Sequence, residues 1–318
     1  MINRRTFLRN ASLLTLGGIL TGKAGRVTAN PLISSIVAQP NASKVIGLQI
    51  YSLGRELYPD VAGGLKKVAR MGYSTIELAG YGSNGKINNV EMADFKKMAD
   101  DAGLKILSSH LNPPVSEYTA SNKQQILDFW KKATDDHAKI GIKYLVQPGQ
   151  PSTRSVEEVS YVGEIFNEAG KVVKAGGLSF GYHNHDLEFA RVVPGGKEMI
   201  TGRRFPRTTG IEIIYDALVR QTDPSLVLFE LDVYWIIMGQ QDPVEYMRKY
   251  ADRIKLLHIK DKAVLGESGM MNFEQIFKQA YANGITDYFV ELENVPAGTQ
   301  FEGAKGCVDY LLKANFVR

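Results

Sequence analysis

Polar and ionisable side chains are concentrated in one short stretch of the chain, GYHNHDLEF at residues 181–189. This stretch places His183, Asn184 and His185 directly behind the apolar residues GGLSF. Polar groups at the end of a buried apolar run cost free energy unless they bind something. Imidazole and carboxylate groups can bind divalent metal ions or transfer protons near neutral pH. The stretch therefore indicates a binding or catalytic site.

Ionisable residues recur at the ends of other short apolar runs. Outside 181–189, the members of this set are Glu77, His110, Glu230, Asp232, His258, Lys260, Glu291 and Glu293. Four of the five histidines in the chain lie at such ends. The exception is His137, which lies in the helical pattern DDHAKIG and is expected to be a surface or helix-end residue. The repeated placement predicts that one rim of the fold gathers these side chains.

The apolar runs are predicted to be the strands of a barrel. Eight of them alternate with amphipathic helical patterns, at 45–51, 74–79, 104–110, 143–148, 178–184, 225–232, 253–260 and 288–294. Strict alternation predicts a parallel sheet, and eight strands close a barrel. A doubly wound open sheet is the alternative, but LQIYSLGREL stands where its glycine-rich phosphate turn would be. We predict a single α/β fold, a (β/α)8 TIM barrel over 44–318, with 190–209 as a possible lid over its catalytic rim.

Three strand-end residues could hold a divalent metal ion. Asp232, His258 and Glu291 end the sixth, seventh and eighth strands, which are neighbours around a barrel. One nitrogen and two carboxylates suit Mn²⁺, Co²⁺, Mg²⁺ or Zn²⁺ and leave positions open for substrate. The alternative is that a cation, Lys260, neutralises the carboxylates. Lys260 points the same way as His258 by strand alternation, so it could also bind a substrate oxygen or shuttle a proton.

The first 29 residues have the composition of an export signal. The pair Arg4 and Arg5 precedes a mildly apolar segment, and VTA at 27–29 is a small-residue cleavage site. The arginine pair resembles a twin-arginine signal, which exports folded proteins; an amphipathic arm is the alternative. We expect an exported, periplasmic protein with a linker at 30–43.

Charge and cysteine content exclude several classes of protein. Residues 1–29 hold five basic residues and no acid, so the formal net charge falls from +4 to −1 without them. A charge near zero is not the footprint of a nucleic-acid-binding protein. Cys307 is the only cysteine, which excludes an intrachain disulfide and a thiolate metal site. Outside the signal, no run reaches the roughly 20 apolar residues of a membrane span.

Three phrases of the sequence resemble the xylose-isomerase-like barrel superfamily. They are LFELDVYWIIMG, RIKLLHIKD and VELEN, and the resemblance extends in order and spacing over the chain after residue 44. The superfamily includes sugar isomerases and epimerases, inosose and dehydroshikimate dehydratases, and endonuclease-type barrels. The resemblance implies the same (β/α)8 fold and a divalent metal ion held by Glu, Asp, His and Glu from strands five to eight.

Three of those four ligands have direct counterparts in this sequence. The Asp, the His and the last Glu match, in order, Asp232, His258 and Glu291. The first Glu does not match, because its position falls near Gly181. His185 is taken as the fourth ligand, with Glu188 or His183 as alternatives, and this choice leaves His183 for proton transfer.

The resemblance also implies a reaction, the enolisation of a keto-sugar. Exported relatives with a YHNH-type fifth strand resemble enzymes that act on 3-keto-glycosides, so we expect a lyase that eliminates the aglycone, with a sugar isomerase or epimerase as the alternative. The expected catalytic residues are His183, Lys260 and Glu291. The expected substrate-binding residues are Tyr51, Glu77, His110, Asn184 and Trp235.

Two other functional classes are alternatives to this enzyme. A non-catalytic carbohydrate-binding barrel would keep the aromatic side chains but would not need a metal ion. An abasic-site endonuclease would have a basic mouth and more metal-binding histidines, which the charge of −1 and the five histidines do not favour. The expected partner is a small sugar or glycoside, without nucleic acid; the sequence does not predict an oligomeric state.

Overall fold

The computed structural model describes residues 44–149, 151, 153–192, 210–295 and 297–318. The predicted export signal and linker, and the predicted lid beyond residue 192, lie outside the described residues. Among the described residues, no helix combines the length and the apolar character needed to cross a membrane.

Eight parallel strands close into a barrel. They are β1 Gly47–Gln49, β2 Thr75–Leu78, β3 Lys105–His110, β4 Tyr144–Gln147, β5 Ser179–His183, β6 Val227–Asp232, β7 Ile254–Lys260 and β8 Tyr288–Glu291. Each strand pairs with the next along the chain, and β8 pairs with β1 to close the barrel. Each one lies within a predicted run. The predicted (β/α)8 fold is therefore confirmed.

Nine α-helices surround the barrel in the part of the chain that the structure describes. They are α1 Val61–Met71, α2 Met92–Asp101, α3 Lys123–Ala138, α4 Val156–Ala175, α5 Ile214–Gln221, α6 Val233–Met238, α7 Pro243–Lys249, α8 Phe273–Ala282 and α9 Gln300–Lys313. The sequence did not predict α6, which begins directly after β6. It forms there because Asp232 Oδ1 accepts hydrogen bonds from the backbone N–H groups of Tyr234 and Trp235, both at 2.8 Å.

The apolar core has two parts. The larger part lies between the strands and the helices, and it includes Cys307, which is fully buried on α9 as a small hydrophobe. The smaller part consists of the buried side chains of Leu107, Tyr144, Val146, Leu256 and Phe289, with Leu228 packed against them. Leu228, Leu256 and Phe289 lie two residues before Glu230, His258 and Glu291, so strand alternation puts them on the same strand faces as those polar residues. This second cluster therefore forms an apolar floor inside the barrel, beneath the site.

His137 is buried, so its interpretation as a surface residue was wrong. It does lie in the last turn of α3, but its side chain is 0% exposed. Nδ1 is 2.7 Å from the carbonyl oxygen of Ala133, and Nε2 is 3.1 Å from Ser109 Oγ. The ring packs against Tyr81, with 4.8 Å between the ring centroids. Burial lowers the pKa of His137 to about 4.

The buried His137 makes the stability of the fold depend on pH. The unfolded chain takes up the proton near pH 6.5 and the folded chain only near pH 4, so stability is lost as the pH falls between these values. At pH 5 we expect a loss of about 2 kcal/mol in the free energy of unfolding from this residue. Urea unfolding at pH 7.5 and pH 5 measures it. His137→Gln should reduce the difference between the two pH values, whereas Lys131→Gln, an exposed change on the same helix, should not; equal differences in all three proteins would contradict the assignment.

Candidate metal centre

Parallel strand pairing brings the predicted site residues together at the C-terminal end of the barrel. Asp232 on β6 is the register partner of His258 on β7, and Lys260 is the partner of Glu291 on β8. On the other side of β6, Glu230 is the partner of His183 on β5. The site is therefore built from rigid strands and not from loops.

Four buried side chains at this end could hold one metal ion. His183, Asp232, His258 and Glu291 each offer a ligand atom, and these atoms all lie within 4.8 Å of one another. Three of the four, Asp232, His258 and Glu291, are the ligands expected from the sequence. The fourth is His183, which was expected to transfer protons and was an alternative to His185 as the fourth ligand.

Strand register explains why the missing glutamate could not be found at Gly181. Gly181 is the partner of Val146 and Leu228, which belong to the apolar floor. A Cβ atom at Gly181 would lie 2.8 Å from Leu228 Cδ1 and 3.2 Å from Val146 Cγ2. His183, two residues further on, is the register partner of Glu230 and is the residue of β5 whose ring lies in the ligand group with Asp232, His258 and Glu291.

The two other candidates for the fourth ligand do not join the cluster. Glu188 uses one oxygen to accept from Tyr182 Oη at 2.6 Å and the other to accept from His185 N at 2.9 Å. The ring of His185 lies beyond His183, with 5.1 Å between the centroids, and His185 belongs to neither metal-competent group of the described residues. The geometry thus gives His183 the place that was assigned to His185.

The state of Asp232 fits a cation in this cluster. Its Oδ1 is used to cap α6, whereas its Oδ2 is buried and has no hydrogen-bond partner among the described residues. Burial raises the pKa of Asp232 to about 7, in spite of the opposing charge of Lys260. A buried carboxylate oxygen without a partner is costly, and a divalent ion would satisfy it.

His258 is oriented as metal-binding histidines are. Its Nε2 lies 2.7 Å from Glu77 Oε2, and its Nδ1 lies 3.3 Å from Glu291 Oε2. If Nε2 carries the proton and donates to Glu77, the Nδ1 lone pair faces the ligand cluster, an arrangement that fixes the ring and strengthens the ligand. Burial lowers the pKa of His258, but Glu230, Glu77 and Glu291 more than offset this and hold it well above its usual value.

A second layer of charged groups lies beneath the four ligands. Glu230 Oε2 is 2.7 Å from His110 Nε2 and 3.2 Å from His183 Nδ1. Glu77 accepts from Ser108 Oγ at 2.5 Å and from Gln49 Nε2 at 2.8 Å, besides its contact with His258. These groups orient the histidines that complete the cluster above.

Glu77 and His110 belong to this second layer, which bears on their expected role in substrate binding. Glu77 and His110 were expected to bind substrate, but Glu77 is 0% exposed with both oxygens engaged, and His110 is held by Glu230. Glu230 was not expected to have a role in the site, although it lies two residues before Asp232 on the same face of β6. That spacing was the signal for it.

Two residues of the second layer and two of the upper ligands form a second metal-competent group. It consists of His110, His183, Glu230 and His258, and Glu230 Oε1 is also buried without a partner among the described residues. The two groups share two histidines. We favour the upper group because Glu77 and Glu230 hold one nitrogen of each shared histidine from below, and because Asp232 and Glu291 are the last residues of their strands.

Lys260 lies at the edge of the upper group. Its Nζ donates to Glu291 Oε2 at 2.9 Å and to Glu293 Oε1 at 2.7 Å, and it lies 5.4 Å from the ring centre of Trp235. Burial lowers the pKa of Lys260, but Glu291, Asp232 and Glu293 raise it above its ordinary value. Lys260 is therefore charged and can bind an oxygen or donate a proton. Lys260 neutralises Glu291, as expected if a lysine and not a metal ion balances the carboxylates, but it makes no hydrogen bond to Asp232.

The remaining expected substrate-binding residues have different surroundings. Asn184 is fully buried and bridges two strand ends: its Oδ1 accepts from Asp232 N and its Nδ2 donates to His185 O, both at 3.2 Å. Trp235 is half-buried, and its indole N–H has no partner among the described residues. Tyr51 is 61% exposed, on the 3-10 segment that follows β1. Trp235 and Tyr51 can face a substrate, whereas Asn184 supports the backbone.

Replacing each histidine of YHNH by alanine in turn separates the roles of His183 and His185 in metal binding. His183→Ala should lower the affinity for Mn²⁺ by at least about tenfold, because it removes a ligand. His185→Ala is the matched control and should leave metal content unchanged. Metal content after loading and desalting is measured by mass spectrometry, with circular dichroism to check folding. Loss of metal from His185→Ala alone would reverse the assignment.

Comparisons with known proteins agree with this fold. The family described as a xylose isomerase-like TIM barrel matches residues 65–307. Crystal structures of two sugar phosphate isomerase/epimerases from Parabacteroides distasonis are 55% and 46% identical in sequence, with TM-scores of 0.80 and 0.81. The matches cover 86% and 90% of this chain and 100% of each of those chains. A 3-keto-D-glucoside 4-epimerase from E. coli shares the fold at 16% identity, with a TM-score of 0.64 over 85% of this chain and all of that one.

Curated relatives match over a shorter region. An inosose dehydratase from Clostridium tetani is 32% identical over 105 residues, which are 33% of this chain and 29% of that protein. One from Bacillus anthracis is 28% identical over 40% of this chain and 37% of its own length. The chain therefore spans well under half of these relatives. Because the family match extends over most of its length, the chain belongs to the xylose isomerase-like TIM barrel family.

Proposed function

We propose that this protein is a metal-dependent enzyme that enolises a keto-sugar and then eliminates the aglycone from a 3-keto-glycoside. The observation that carries the proposal is the unpartnered, buried Oδ2 of Asp232 in a four-residue cluster beside the charged Lys260. Further support comes from the relatives, whose names describe sugar phosphate isomerase/epimerases and inosose dehydratases. The expected partner is therefore a small sugar or glycoside.

The residues that would hold the ion are His183, Asp232, His258 and Glu291. This set of nitrogen and carboxylate ligands is compatible with Mn²⁺, Co²⁺, Mg²⁺ or Zn²⁺. A divalent ion bound there would polarise the substrate carbonyl and so acidify the neighbouring C–H group.

Two groups of the chain can accept the proton from carbon. His185 is half-buried beside Trp235, with 5.7 Å between ring centroids, and is free of the metal-competent groups. Imidazole is the commonest general base in enzymes, so His185 takes the role first given to His183. Glu291 is the second candidate, because its buried carboxylate lies at the end of β8 within the ligand cluster.

Lys260 stabilises the charge that develops during the reaction. When the C2–H bond breaks, negative charge moves to the ketone oxygen, where a preorganised ammonium group is most effective. In the elimination, the C2 electron pair forms a C1–C2 double bond, the C1–O bond breaks, and the departing aglycone oxygen takes up a proton. Lys260 and the protonated base are the donors available for it.

An isomerase or epimerase is the alternative outcome of the same first step. Returning the proton to carbon would give isomerisation or epimerisation, and the names of the Parabacteroides structures favour this outcome. A non-catalytic carbohydrate-binding barrel is the alternative from another class, and it would not require the metal cluster.

We also propose that the protein is exported to the periplasm. The twin arginines and the small-residue site at 27–29 support this. Glycosides and oxidised sugars are substrates that an exported enzyme can meet, which is why we favour a glycoside over an intracellular sugar phosphate.

The reaction can be tested with the metal-loaded protein in D₂O. A 3-keto-glucoside should release its aglycone, and EDTA should abolish the release. Deuterium incorporation into the matching free keto-sugar without aglycone release would contradict the lyase in favour of isomerisation. Turnover that EDTA leaves unchanged would remove the role of the metal ion.

Variants of β7 test the role assigned to Lys260. Lys260→Met should lower kcat by about 100-fold, the usual effect of removing one preorganised charge-stabilising donor. Lys255→Met changes an exposed lysine on the same strand and is the matched control. Equal kcat values for the two variants would show that Lys260 does not stabilise the transition state.

A further inference from the structure

We infer that a cleft beside the metal centre is a subsite for a second, uncharged sugar ring of the substrate. The cleft has a volume of about 510 Å³, within the usual range for small-molecule sites. Its walls come from the segments that follow β1, β2 and β8, and from the start of α9. The lining residues that matter here are Tyr51, Arg55, Tyr58, Asn88, Glu293 and Gln300. The inference rests on the proposed function for what fills the metal centre itself.

The cleft and the metal centre share one segment of chain. Glu291 is in the ligand cluster and Glu293 lines the cleft, two residues and about 7 Å further along an extended chain. Lys260 Nζ bridges the two, because it donates to both carboxylates. The backbone of Leu292 between them is held by Ser52 Oγ at 2.9 Å. A sugar ring at the metal centre could therefore continue directly into the cleft.

The aromatic residues of the cleft suit a sugar ring. Tyr51 is the most exposed large apolar side chain among the described residues, at 61%. An exposed ring at the edge of a cleft can pack against the C–H face of a pyranose, which removes apolar area from water. Tyr58 Oη accepts a hydrogen bond from Asn88, so its own O–H remains to donate. Burial raises the pKa of Tyr58 to about 12, which keeps that proton in place.

One residue of the cleft lining, Gln300, has an unused side-chain acceptor. Gln300 Oε1 is buried and has no hydrogen-bond partner among the described residues. A buried amide oxygen without a partner costs free energy. A sugar hydroxyl donates one hydrogen bond and accepts others, so it can satisfy Gln300 and Tyr58 in turn.

The charges around the cleft favour a neutral ring over a phosphate group. Arg55 and Glu293 are opposite charges in the same lining. The first turn of α9, where a phosphate would be held by backbone N–H groups, is already capped by an acid: Glu56 accepts from Gln300 N at 3.0 Å and from Phe301 N at 3.4 Å. A phosphate would have to displace this carboxylate.

Binding of unoxidised sugars tests the subsite independently of catalysis, because these sugars lack the ketone. The metal-loaded full chain is titrated by calorimetry with cellobiose and maltose, and with the methyl β- and α-glucosides as one-ring controls. We expect one disaccharide to bind about three- to tenfold more tightly than its methyl glucoside. This difference in affinity is what one additional contact between a sugar ring and an aromatic ring provides. Tyr51→Ala should remove this difference. Leu312→Ala, which changes an exposed apolar residue outside the cleft lining, should keep it.

Several results would overturn the subsite. These are equal affinities for the one-ring and two-ring sugars, no measurable binding of either, or an unchanged preference in Tyr51→Ala. Glucose 6-phosphate binding more tightly than both disaccharides, and losing that advantage in Arg55→Ala, would replace the sugar subsite with a phosphate site. A two-ring preference that depends on Tyr51, in a protein that releases no aglycone from a 3-keto-glucoside, would support the subsite and refute the proposed lyase.

Discussion

The structure depends on balancing buried charge at one end of a closed barrel. His258 lies between carboxylates on three other strands, with Glu77 and Glu230 below it and Glu291 beside it. Ionised groups removed from water are tolerated only when each is paired or binds a cation. The imidazole of His258 therefore joins β2, β6 and β8 across the barrel. The apolar floor beneath excludes water and strengthens every one of these interactions.

The fold was predictable from the sequence because its signals are local and repeated. Each barrel strand is a short apolar run, and the ends of each predicted run lie within about three residues of the ends of the strand. The helix α6 was missed because it is only six residues long and begins at a strand end, where Asp232 looks like a terminal polar residue. His137 was misplaced because periodicity places a residue on a helix without saying which neighbour its side chain meets.

The candidate site was predictable as a set of residues but not as a set of roles. Asp232, His258 and Glu291 lie together because parallel strands end at one rim. Strand register explains why Gly181 belongs to the apolar floor, and the choice between His183 and His185 required the positions of their rings, of which only the His183 ring lies within the described ligand groups. The burial of Glu77 and Asn184 also depended on partners from distant parts of the chain. The sequence indicates which side chains lie at the C-terminal end of the barrel. How deeply each of these side chains is buried there depends on its packing against other parts of the chain.

The cap that Asp232 provides to α6 has a further consequence. One oxygen of this carboxylate fixes the first turn of the helix that carries Trp235, and the other faces the ligand cluster. The binding of an ion and the orientation of the aromatic wall are thus parts of one rigid unit. A small displacement of the Asp232 carboxylate would therefore also shift α6 and move the indole ring of Trp235. Selection that retunes the wall for a new substrate would then also act on the metal site, so that specificity and ion affinity would evolve together.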